Sequence, residues 1–148
     1  MIAQTQENVS ILFKIDNEIV TNIDIKNESK YLLALNPMLK NIGEQQRMDI
    51  AEQSIIKEII KENELLKYYN LNQGDELLDK IIEEFYTKLG INSKELFENY
   101  LKDFDLTTAD IKKKIEIETM WNRLVYDKFS NVVQINKESL KEKIKSQK

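Results

Sequence analysis

From Val9 the chain alternates: Val9, Ile11, Phe13 and Ile15 fall at period two with Ser10 and Lys14 between them, the pattern of a strand with one buried face. Leu12 interrupts it. Asp16-Asn17 tolerates the positive φ angles of a two-residue turn, and Ile19-Val20 begins a return strand, so a hairpin is predicted. The period then changes. Thr21 or Asn22 caps a helix carrying Ile23, Ile25, Tyr31, Leu32 and Leu35, and Asp24, three residues after Thr21, makes a capping box. The helix stops near Asn36-Pro37, because proline drives the preceding residue out of the helical region. A longer helix places Met48, Ala51, Ile55, Ile56, Ile59, Ile60 and Leu66 at intervals of three and four and ends at Tyr68-Tyr69-Asn70.

Asn72-Gln73-Gly74-Asp75 predicts a turn and cap before a third helix with Leu77, Leu78, Ile81, Ile82, Phe85, Tyr86 and Leu89, which Gly90 terminates. Ser93 caps a fourth, with Leu96, Phe97, Tyr100, Leu101 and Phe104. Thr107 with Asp110 forms another capping box ahead of Ile111, Ile115, Met120, Trp121, Leu124, Val125 and Phe129. Short links between these three helices favour compact packing. Val132, Val133, Gln134 and Ile135 read as a third short strand, and Asn136 as the cap of a last short helix through Ile144. The expected fold is mainly α, a multi-helix body with a small N-terminal hairpin. Its parts are a polar leader (1–8), one domain (9–135) and a C-terminal helix or start of a linker (136–148).

Composition narrows the function. A chain of 148 residues buries roughly 68–70% of its unfolded surface, enough for a core. The 22 basic and 26 acidic side chains are interspersed, so no positive field exists to draw in a phosphate backbone, which argues against nucleic acid as a partner. The last twelve residues, 137–148, hold five Lys and two Glu, a run that reads as a solvated helix face or a fraying end. No window has the 18 or more apolar residues of a membrane span, so membrane insertion is not expected.

With no cysteine and no histidine, the chain lacks the thiolate nucleophile, the commonest general base and the commonest zinc ligand. No catalytic residue, metal site or cofactor is expected. Glu83-Glu84 and Glu116 with Glu118 have no partner chemistry nearby and read as solvated faces. Lys57, Lys61 and Lys67 among Glu58, Glu62 and Glu64 read as exposed ion pairs along the long helix.

The order of parts is itself informative: the "IDNEIVT" hairpin, a capped helix, a long helix, then Gly90-Ile91-Asn92-Ser93 with Leu96, and Leu106-Thr107-Thr108 with Asp110-Ile111. This resembles the N-terminal domain of the SurA-like periplasmic chaperones and peptidyl-prolyl isomerases, over about residues 9–135. The family often has glycine where this chain has Asp105, and it usually continues into parvulin isomerase domains, whereas this sequence ends at Lys148 as an excised domain or a reduced member. The parvulin centre uses histidines, so isomerase activity is not carried over.

What the resemblance implies is a chaperone domain in the periplasm, binding unfolded outer-membrane proteins or aromatic-rich peptides in an apolar groove without chemistry. The alternative is a structural or dimerisation module supporting an isomerase domain elsewhere, with a homodimer as the partner. Candidate client-contacting residues are Met38, Leu39, Ile42, Met48, Tyr68, Tyr69, Tyr86 and Tyr100. Phe85, Phe97 and Trp121 sit in clean periodic faces and read as core, whereas Met38, Leu39 and Ile42 are apolar residues in a predicted loop. The hairpin is too small to stand alone and needs helices over its Ile11, Phe13 and Ile15 face.

Overall fold

Two antiparallel strands, β1 (Ile11–Ile15) and β2 (Glu18–Thr21), open the computed structural model, which describes residues 8–71 and 76–146. Among these residues five helices follow: α1 (Asn22–Leu35), α2 (Glu44–Leu65), α3 (Glu76–Lys88), α4 (Lys94–Lys102) and α5 (Thr108–Ser146), with a 3₁₀ turn at Pro37–Asn41. The chain is thus mainly helical with a small hairpin, as its periodicity predicts. The polar leader apart from Asn8, and the turn at Asn72-Gln73-Gly74-Asp75, lie outside the described residues.

Local chemistry sets the helix starts. The Thr21 box closes in both directions, with the Asp24 amide donating to Thr21 Oγ1 at 3.2 Å and the Thr21 amide to Asp24 Oδ2 at 2.8 Å. Thr107 and Asp110 repeat the arrangement at α5, and the Ser93 hydroxyl accepts from the Leu96 amide at α4. Two helix ends share one device. At Gly90 (φ +81°) and Asp105 (φ +55°) the chain turns left-handed, and the following amides, Ile91 and Leu106, reach back to the carbonyls of Tyr86 and Leu101 at 3.0 Å each. Asp105 takes this strained position with its carboxylate 2.6 Å from Lys30 Nζ.

Three apolar groups form the core. Phe13, Ile15 and Val20 of the hairpin pack with Ile25, Ala51 and Ile59, which explains how so small a sheet is held. Tyr31 and Ala34 of α1 join Ile82, Phe97, Leu101 and Ile111 in the second, and Leu65, Ile117 and Leu124 tie the end of α2 to α5 in the third.

Several expectations are corrected. Ile11 is 66% exposed, because Leu12 is an extra residue between the pairs Ile11↔Thr21 and Phe13↔Val20; the bulge reverses the alternation and turns Ile11 outward. Of Asp16 and Asn17, only Asp16 has a positive φ, +52°. Val132, Val133, Gln134 and Ile135 are not a third strand, and Asn136 caps no new helix. Both stretches lie inside α5, which passes the expected boundary at 135/136 unbroken. Glu116 is buried rather than solvated.

Candidate functional site

The eight candidate client residues are not brought together. Met38, on the 3₁₀ turn, is 70% exposed, while Leu39 and Ile42 are half-buried and Ile42 O accepts from Arg47 Nη1 at 2.7 Å. Their segment is an ordered turn, not an irregular loop: Asn36 caps it through the Met38 amide at 3.2 Å, with Pro37 at its first position. Met48 packs beside the hairpin group.

Tyr68 and Tyr69 lie at the other end of α2. Tyr69 packs on the third apolar group, and Tyr68 is exposed beneath Lys128, whose ammonium stands 4.9 Å from the ring centre. Tyr86 and Tyr100 are structural. Their rings lie 5.2 and 6.4 Å from that of the fully buried Phe97, and Tyr100 Oη donates to Ala34 O at 2.7 Å, joining α4 to α1.

The exposed apolar surface lies elsewhere. Val9, Ile11, Leu12 and Ile19 all point to solvent from the hairpin and its approach. Among the described residues the sheet has two strands, so each keeps one edge without a strand partner. The second exposed face runs along the far half of α5, through Tyr126, Phe129, Val132, Leu140 and Ile144. Neither set of residues was among the candidate client residues, the first because of the bulge and the second because its valines resemble a strand.

A charged group lies at the junction of three helices. Lys114 Nζ of α5 sits 2.6 Å from Glu28 Oε2 of α1 and 2.5 Å from Glu58 Oε2 of α2, and its ammonium is 4.5 Å from the centre of the Tyr31 ring. Glu28 is only 3% exposed, and Ser54 Oγ donates to its other oxygen at 2.8 Å. A cavity of about 250 Å³ opens beside the cluster, also lined by Asp24, Asp105 and Asp110.

Burial pushes the Glu58 carboxyl above its usual range, against the pull of Lys114. Burial would lower Lys114, but Glu28 and Glu58 outweigh it and hold the ammonium above 10.5. Burial, then Glu28 and Glu58, raise Tyr31. A fixed ion triad with every oxygen of Glu28 engaged holds helices in register; among the described residues no group of three potential ligands is placed to bind a metal.

The ion pairs of α2 differ from expectation in direction. Lys61 reaches Glu118 at 2.7 Å and Glu62 meets Lys113 at 3.4 Å, both across to α5, whereas Lys67 pairs locally with Glu64. Glu28 carried one legible signal, since it lies three residues from both Ile25 and Tyr31 on the buried face of α1. No family model matches the chain, and no curated protein or solved structure is significantly similar to it. Among the described residues no helix is long and apolar enough to cross a membrane.

Proposed function

We propose that the domain is a non-enzymatic binder of unfolded protein segments, with extended β-barrel outer-membrane chains as clients and the periplasm as its compartment. One observation carries this reading: the outward apolar group Val9, Ile11, Leu12 and Ile19 beside unpaired strand edges. An extended client adds its backbone to such an edge and rests alternate apolar side chains on the strip, a mode that needs neither nucleotide nor a fixed sequence. This site replaces the dispersed tyrosines, while Met38 is a separate exposed contact on the 3₁₀ turn.

The test is suppression of aggregation of an unfolded outer-membrane β-barrel protein diluted from urea. The parent domain should delay light scattering. Ile11→Ser/Leu12→Ser/Ile19→Ser should lose at least half of that effect with its thermal unfolding little changed, because these side chains are exposed. Met38→Ser should lose less. No delay by the parent domain, or equal activity of the triple variant, overturns the assignment.

A further inference from the structure

We propose that the far half of α5 is a self-association arm that pairs antiparallel with the same arm of a second copy. Of residues 131–146, all but Val133 are exposed, so this stretch extends beyond the body as a continuation of one 39-residue helix. At about 100° per residue, Val125, Tyr126, Phe129, Val132, Val133, Leu140 and Ile144 fall within a stripe about 120° wide. Ile135 lies outside it. Apart from half-buried Val133, the described body leaves the stripe uncovered.

Area and charge select the occupant. The stripe presents on the order of 700 Å² per copy, more than a monomeric protein usually leaves in one patch and close to the ~800 Å² per partner of a stable interface. Residues 126–146 hold eight charged side chains, and only Lys143 falls within the stripe, with Lys137 at its border, so the seam can meet an identical seam without strong repulsion.

The direction follows from the charge of the two halves. Residues 1–125 carry 16 basic and 23 acidic side chains, net −7, and residues 126–148 carry 6 and 3, net +3. Parallel arms would crowd two acidic bodies together. Antiparallel arms separate the bodies by roughly 30 Å and bring each lysine-rich tip beside the acidic body of the other copy. The register that pairs apolar positions sets Phe129 of one copy on Leu140 of the other and Val133 near Asn136. None of this depends on the client reading.

The experiment is the solution mass of the full chain, by light scattering during size exclusion, over a hundredfold range of concentration. Wild type should move from 17.5 kDa toward twice that mass as concentration rises. Leu140→Asp and Phe129→Asp should stay at the monomer mass. Ile135→Asp, equally exposed but off the stripe, should dimerise within about twofold of wild type.

The chain has no cysteine, so direction can be read by oxidative cross-linking. A mixture of Phe129→Cys and Leu140→Cys chains should give the heterodimer in excess over either homodimer. A monomer at every concentration, dimerisation that survives Leu140→Asp, or preferential cross-linking of Leu140→Cys to itself would each overturn the proposal. Aggregation suppression by the Leu140→Asp monomer is a separate readout and tests only client binding.

Discussion

Replacing Lys114 by alanine should destabilise the domain by about 3–5 kcal/mol, the range for removing one member of a buried ion pair. The reason is what remains. Glu28, 3% exposed, would be left with Ser54 as its one side-chain partner among the described residues, while Glu58 would lose the cation that offsets its burial. Because domains are marginally stable, this is a large share of the total, and at about 2–4 °C per kcal/mol it lowers Tm by roughly 10 °C. Urea unfolding followed by circular dichroism measures it. Glu28→Leu/Glu58→Met/Lys114→Met should recover most of the loss, since apolar replacements remove the desolvation of all three ions together. If Lys114→Ala shifts stability by under 1 kcal/mol, water entering the neighbouring cavity solvates Glu28 and the triad is not a structural tie.

The same cluster governs alkaline behaviour. Lys114 and Tyr31 both hold their protons more tightly folded than unfolded, since their values are raised above 10.5 and 10.0. With more protons bound in the native state, stability falls as pH rises. The contribution is whole below pH 10 and is lost as pH climbs through the raised values. Glu58, also raised, acts in the same direction above its ordinary 4.5. Urea midpoints measured from pH 7 to 11.5 should therefore decline above pH 10, and Lys114→Met should flatten part of that decline. A midpoint that rises with alkalinity would contradict the assignment.

What was legible in the sequence was what short segments decide alone. Thr21 with Asp24, Ser93, and Thr107 with Asp110 start helices because a side chain meets an amide three residues on, and Gly90 stops one because its neighbours need a left-handed turn. What failed depended on relations along or across the fold. Val132, Val133 and Ile135 favour a strand locally, yet Val132 and Val133 sit in helical register with Phe129 and Leu140, and the helix already running from Thr108 makes each added residue easier than a new nucleus would be. Leu12 hid a bulge that no composition rule marks. Lys114 lies 86 residues from Glu28, so their contact belongs to the packing of helices rather than to any motif.

The candidate site shows the same division. Tyr86 and Tyr100 looked like adaptable contact residues, but their spacing places them on the faces that close around Phe97. Phe97→Ala should be the most damaging apolar substitution, at about 3–5 kcal/mol. Phe97 is 0% exposed, and Phe85, Tyr86 and Tyr100 all lie within 6.4 Å of it, ring centre to ring centre, so the void would be lined by stiff aromatic walls that collapse poorly. Phe97→Leu should cost well under half as much, because most of the volume is kept. Tyr100→Phe removes only the hydrogen bond to Ala34 O and should cost about 1 kcal/mol. Urea midpoints give all three, and their order is diagnostic. A ring group that served clients would tolerate truncation and change binding instead, whereas a core must lose stability in proportion to the volume removed, and this core is what links α4 to α1 and α3.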